Sequence, residues 1–133
     1  MTGAVLVDTD VFSYLFRNDT RARRYEPELR GRRLCLSFMT VAELRRWTLQ
    51  RRWGAHRVQS LEKVLREYVV LPADDAMCTE WARVTSARAR AGLPIGCGDC
   101  WIAATALRHG LPLVTHNAAD YGAIAGLHVI NHA

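Results

Sequence analysis

Apolar stretches of about four residues recur along this chain, each handing over to a helical stretch, and that alternation leaves few folds open. The expected strands are Ala4 to Asp8, Leu34 to Ser37, Tyr68 to Leu71, Leu113 to Thr115 and His128 to Ile130. Between them the sequence predicts helices over Val11 to Arg17, about Asp19 to Arg30 with a break near Pro27, Thr40 to Trp53, Ala55 to about Glu67, Asp74 to Ala91 and Asp99 to His109. Asp10 suits the N-cap of the first helix, Thr40-x-x-Glu43 reads as a capping box, and Gly54, Gly92 and Gly110 stand where helices should stop. Asn117 is placed to cap a last short turn. Short apolar strands alternating with helices mark an α/β fold, with a short parallel sheet at its centre and helices on both faces. There is no repeat or linker, and 133 residues of which 50% are hydrophobic suit one domain over residues 1–133.

Four acidic residues sit where an apolar strand gives way to a helix: Asp8 in LVD, Glu43 in TVAE, Asp99 in GCGD and Asp120 in NAAD. In an open parallel sheet such junctions gather outside the carboxyl ends of the strands, where ligands bind. Two carboxylates about 4 Å apart repel by about 4 kcal/mol at an effective dielectric of 20. A cation would hold several together, and an all-oxygen set suits Mg²⁺ or Mn²⁺ better than zinc. Metal-assisted chemistry on a phosphate follows. Each residue also has a plain structural role open to it. Glu43 can serve the capping box, Asp10 can be only an N-cap, and Asp120 can complement a helix dipole. Asp8 ends a buried strand, where an unpaired charge is costly, and Asp99 introduces an almost wholly apolar helix.

The chain is basic overall, with a net charge of +5 carried by seventeen arginines and a single lysine, Lys63. Arginine is the better bidentate partner for phosphate. Arg45, Arg46, Arg51, Arg52 and Arg57 follow Glu43 closely, and Arg21 to Arg33 supplies a second basic run. A basic protein with an acidic edge suggests a polyanionic substrate brought to a metal centre, and Arg45, Arg46, Arg51 and Arg52 are the candidate RNA contacts. Trp47 and Trp53 lie among these arginines and are candidate base-stacking residues, while Trp81 and Trp101 fit a core or interface better. No apolar run approaches the roughly 18 residues of a membrane span. MTGAVLVDTD runs straight into a strand, so no signal peptide is expected and the chain reads as soluble and cytosolic. Cys35 and Cys78 read as core residues. Cys97 and Cys100 form a C-x-x-C at a helix start, a setting that lowers a thiol pKa, but no strand precedes it and no second ligand pair completes a zinc site.

Asp8-Thr9-Asp10-Val11 resembles the signature of haloacid-dehalogenase phosphatases, and receiver domains also begin with acidic residues beside a strand. Both need a lysine at a later strand end, and Lys63 falls in mid-helix. A broader resemblance covers nearly the whole chain. VLVDTDVF, TVAELRRW, IGCGDCWIAATA and LVTHNAADY together resemble the PIN-domain nucleases, and within them the VapC-type toxins of bacterial toxin–antitoxin pairs. Tyr121, where Phe is common, and the cysteines flanking Asp99 depart from that pattern. The resemblance implies a metal site of Asp8, Glu43, Asp99 and Asp120 assisted by Asn117. It implies an endoribonuclease that leaves 3′-hydroxyl and 5′-phosphate ends, a homodimer, and an antitoxin that fills the acidic groove. A phosphatase, or a silent nucleic-acid-binding domain that keeps only the basic faces, are the alternatives.

Overall fold

The computed structural model describes residues 3–133, so residues 1 and 2 of the expected domain lie outside it. Five strands form one sheet: β1 Ala4–Val7, β2 Arg33–Ser37, β3 Val69–Leu71, β4 Leu113–Val114 and β5 Val129–Ile130. Their order is β3-β2-β1-β4-β5 and every neighbouring pair is parallel. β1 is therefore the central strand. The chain leaves it toward β2 on one side and later returns to β4 on the other, a reversal of the kind that opens a crevice at the strand ends.

The run Val5-Leu6-Val7 is buried because the pleat sends alternate side chains to opposite faces and both faces are covered. Val5 and Val7 join Leu36 and Val114 in one core, which is filled by Val11 and Phe12 of α1 (Thr9–Phe16), Val41 and Leu44 of α3 (Phe38–Gln50), and Leu61 and Leu65 of α4 (Ala55–Leu65). Leu6, Cys35 and Leu113 point the other way, onto Ile102, Ala103 and Ala106 of α6 (Cys97–His109). Each such buried aliphatic side chain contributes about 1.5–3 kcal/mol. The small residues of WIAATAL let α6 lie close to the sheet. A longer helix, α5 (Asp75–Arg90), packs along α6. Gly110 closes α6 in the left-handed region at φ 63°, the conformation its missing Cβ permits.

The expected span from Asp19 to Arg30 resolves into a 3₁₀ turn, Thr20–Arg24, and the single turn α2, Glu26–Leu29. Pro27 sits in the first turn of α2, where its missing N–H leaves nothing unsatisfied.

Three local expectations are corrected. Asp8, not Asp10, caps α1: its backbone is extended (ψ 160°) and its Oδ1 accepts from the Thr9 amide at 2.8 Å. The Thr40–Glu43 capping box does not form, because α3 starts earlier, at Phe38, under the Ser37 hydroxyl, which accepts from the Met39 amide. Asp99 lies inside the first turn of α6 rather than at its start, because Gly96 is the N-cap. Cys78 is also exposed rather than buried, since α5 covers only one face of α6 and turns the rest of its own surface outward. Among the described residues no helix is long and apolar enough to cross a membrane.

Candidate active site

The carboxyl ends of β1, β2 and β4 and the first turns of α1 and α6 surround one cleft of about 170 Å³. It is lined by Asp8, Thr9, Asp10, Glu43, Trp47, Asp99, Asn117 and Asp120. All four predicted acidic residues and Asn117 are thus brought together, although they are spread over more than a hundred residues of sequence. Among the described residues no three His, Cys, Asp or Glu side chains close into a tight preformed cation cage. The carboxylates line the walls of the cleft instead.

Asp8 is the deepest, only 6% exposed. Besides the Thr9 amide on Oδ1, its Oδ2 accepts from the Thr115 hydroxyl at 2.7 Å and from the Tyr121 hydroxyl at 3.0 Å. Three donors on a carboxylate with about four lone-pair positions leave one unclaimed, on Oδ1. Burial, with the Asp10 charge next to it, still pushes its pKa up to about 7. Glu43, freed from capping, accepts from the Thr9 hydroxyl at 2.8 Å. Thr9 has one proton to give, so Thr40, whose oxygen lies 2.9 Å away, donates to Thr9. Gly98 in the first turn of α6 makes room for Glu43. A Cβ at that position would stand 2.8 Å from Glu43 Oε2. The Asp99 pKa is raised by burial first, then by the charges of Asp120 and Glu43.

Asp10, read from sequence as a cap, belongs to the site. Its Oδ2 accepts from the His116 amide at 3.1 Å and from the Asn117 side-chain amide at 3.0 Å, and burial raises its pKa. Asn117 makes no side-chain cap bond to the 3₁₀ turn Ala118–Tyr121 that it precedes, and donates its amide to Asp10 instead. The Tyr25 hydroxyl and His116 Nδ1 are 2.6 Å apart, which fixes the segment after β4 from behind. The sequence reading missed Thr9, Thr40, Thr115 and Tyr121. The only local hint was the density of Thr around the acidic residues.

None of these five carboxylates is neutralised by a basic side chain. Among the described residues Asp19, Glu62, Asp74 and Glu80 have arginine partners, while Asp8, Asp10, Glu43, Asp99 and Asp120 have none. Arg88 sits behind the Asp120 turn. It is buried (7% exposed) and donates only to main-chain carbonyls, those of Leu93, Asp120 and Gly122. It thereby ties the Asp120 turn to α5.

Of the candidate RNA contacts, Arg45 is forked onto Glu62, Arg51 lies over the Trp47 ring at 5.0 Å, and Arg46 and Arg52 are exposed. Trp47 reaches the cleft wall. Trp53 instead packs on Phe16 and carries Arg57 on its face. Trp81 and Trp101 stack on each other, as a structural role predicts. Lys63 is exposed on α4 and does not line the cleft, so the lysine that the phosphatase reading needs is missing there. The cysteine expectation is corrected as well: Cys100 is buried, donates toward the Trp81 carbonyl at 3.7 Å, and burial pushes its thiol up to about 11 rather than down.

Residues 5–126 match the family model described as PIN domain, which takes in the whole cleft. The chain belongs to the PIN-domain family. Among its PIN-domain relatives, Ribonuclease VapC4 of Mycobacterium tuberculosis is 33% identical over 128 residues, 94% of each chain. Ribonuclease VapC1 of Haemophilus influenzae (strain R2866) is 29% identical over 124 residues, 92% of each chain. The solved structure of VapBC-1 from nontypeable Haemophilus influenzae superposes with a TM-score of 0.82 at 28% identity, covering 98% of each chain. The single PIN-like α/β domain expected from the sequence is therefore the fold of this chain.

Proposed function

We propose that this protein is a metal-dependent endoribonuclease, the toxin of a VapBC-like toxin–antitoxin pair. The observation that carries the reading is the cleft itself. Five carboxylates without a basic partner share it in a chain of net charge +5. Among the described residues no arginine forms an ion pair with any of the five. The ribonuclease names of the relatives over nearly their full length support the same conclusion.

The donor set is all oxygen and suits a hard divalent cation, Mg²⁺ or Mn²⁺. Asp8 and Asp99 would be its principal ligands, with Glu43 and Asp120 acting through water or a second ion. When bound, the ion supplies Lewis acidity toward the attacking water and offsets charge at the scissile phosphate. Glu43, steadied by the Thr40–Thr9 hydroxyl chain, and Asp120, steadied by Arg88 through its turn, orient the water. Asn117 assists by holding Asp10 against the strand end. Attack in line with the departing 3′ oxygen leaves a 3′-hydroxyl and a 5′-phosphate, with no part for the 2′-hydroxyl. Arg46, Arg51 and Arg52 draw the RNA backbone toward the cleft, and Arg45 joins them on release from Glu62. The protein works in the cytoplasm as a homodimer, and a cognate antitoxin fills the acidic cleft.

The test is cleavage of end-labelled RNA by purified protein, with Mg²⁺ or Mn²⁺ and with chelator, followed by mapping of the ends. Cleavage that requires the metal, leaves 5′-phosphates and vanishes in Asp99→Asn is the expected result. Cleavage that persists in chelator, or an Asp99→Asn protein as active as the parent, refutes the reading.

A further inference from the structure

One side chain touches both of the principal carboxylates. The Tyr121 hydroxyl lies 3.0 Å from Asp8 Oδ2 and 3.4 Å from Asp99 Oδ1, and the ring around it is only 3% exposed. It has a single proton to share between two carboxyl groups held by different parts of the fold, the cap of α1 and the first turn of α6. Its own position is fixed from outside the cleft, because Arg88 binds the carbonyls on either side of it, those of Asp120 and Gly122. The ring is locked in the core against Leu6, Ile102 and Ala106. Tyr121 is therefore a rigid, uncharged bridge between carboxylates that would otherwise push each other apart.

We infer that Tyr121 is a positioning residue that sets divalent-cation affinity by holding Asp8 and Asp99 at a fixed separation. The inference rests on the metal-dependent reading of the cleft. Without the hydroxyl, the two carboxylates splay, and a cation must gather them again before both can bind it. Hydrogen-bond partners of ligating groups typically change metal affinity by about 10- to 100-fold when removed. Tyr121→Phe should fall in the lower part of that range, since Thr115 and the Thr9 amide still hold Asp8.

The experiment uses the full chain and Mn²⁺ as the probe, with free Mn²⁺ followed by electron paramagnetic resonance. Parent, Tyr121→Phe, Asp99→Asn and the Tyr121→Phe, Asp99→Asn double variant are titrated, and RNA cleavage is measured at low and at saturating Mn²⁺. Tyr121→Phe should weaken Mn²⁺ binding by about 10-fold. It should lower kcat at low Mn²⁺, recover at saturating Mn²⁺, and keep the parent KM for RNA. In the Asp99→Asn background the substitution should have little further effect on Mn²⁺ affinity, because the bridge has lost one of its ends. A folded Tyr121→Phe that binds Mn²⁺ like the parent overturns the inference while leaving the metal site standing. A parent that does not bind Mn²⁺, or an Asp99→Asn that binds it equally well, overturns the metal site itself. Should Tyr121→Phe fail to fold in chelator, the inference requires that Mn²⁺ or the Asp99→Asn change restore it. A double variant unfolded even with Mn²⁺ makes the hydroxyl a fold element and refutes the positioning role.

Discussion

Asp8→Asn should make the metal-free protein more stable at neutral pH while abolishing RNA cleavage. The argument starts from burial. The Asp8 carboxyl has its pKa pushed up to about 7, mainly by burial and then by Asp10, against 3.8 in an unfolded chain. A raised carboxyl pKa means that the folded state binds the proton more tightly than the unfolded state. Its contribution to stability is fully present below about pH 4, is lost as pH rises, and is gone above about pH 7. At about 1.36 kcal/mol per pKa unit, the loss has a ceiling of about 4 kcal/mol. The amide that replaces the carboxyl is neutral at every pH. Its oxygen can keep the Thr9 amide, but its nitrogen faces the Thr115 and Tyr121 hydroxyls, which must turn to accept, so part of the gain is forgone. A net gain of about 2 kcal/mol raises Tm by about 5–10 °C for a domain of this size. The assay is thermal unfolding in chelator from pH 3.5 to 8.5, parent against variant. Near pH 4 the variant should lie below the parent by the part forgone to the mismatched amide, cross it as the pH rises, and stand above it by pH 7. Added Mg²⁺ should raise Tm of the parent and leave Asp8→Asn unmoved. Equal Tm at pH 8, or an advantage of the variant that grows as the pH falls, would refute the reasoning.

Glu43→Gln should keep stability within about 0.5 kcal/mol of the parent, since its carbonyl can still accept from Thr9 and no helix cap depends on it; its RNA cleavage should nevertheless fall by at least about 100-fold, a rate loss read from single-turnover kinetics. Gly98→Ala should leave α6 as stable or slightly more so, because alanine is the better helix former by about 1 kcal/mol. It should still lower kcat by displacing the Glu43 carboxylate, and an unchanged kcat would show that this carboxylate tolerates movement. Arg88→Met should destabilise the protein by about 2–4 kcal/mol in chemical unfolding, because three carbonyls lose a charged donor at once. Cys97→Ser with Cys100→Ser should leave cleavage intact under reductant. Burial disfavours the Cys100 thiolate, so a Cys97–Cys100 disulfide should be slow to close in the parent under mild oxidant, and its rapid appearance in peptide mapping would contradict that reading.

The elements are legible in the sequence because their signals are local: continuous apolar runs for strands buried on both faces, glycines at helix ends, apolar residues over α6. Asp8 and Asp120 are legible for a related reason, as each ends or follows such a run. Asp99 follows no strand and Glu43 lies inside α3, so the expected strand-to-helix junction does not hold for those two. What misleads is competition between neighbours of similar chemistry. Asp8 and Asp10 are both good N-caps two residues apart, and the choice falls to where β1 releases the chain. Ser37 and Thr40 are likewise both competent caps, and Ser37 wins because β2 ends there. Asp10 escapes a reading of the sequence because it suits a cap that it does not make. The hydroxyl donors leave no local signal beyond the density of Thr around the acidic residues. Thr115 meets Asp8 across 107 residues of sequence and Tyr121 meets it across 113, so their roles exist only once β4 lies beside β1.

The choice of donors around the carboxylates explains how an acidic cleft persists in an arginine-rich chain. An arginine on Asp8 would form a strong bidentate pair, yet it would also cancel the charge that a cation needs. Thr9, Thr115, Tyr121 and the Asn117 amide orient the carboxylates without cancelling anything. Their hydrogen bonds offset only part of the burial cost, which is why Asp8 and Asp10 retain raised pKa values despite three donors each. The one arginine buried close by, Arg88, is held off the acidic groups by three carbonyl acceptors. The fold therefore keeps the cleft organised and negative at some expense to its own stability. A divalent cation would relieve that repulsion more completely than any side chain present.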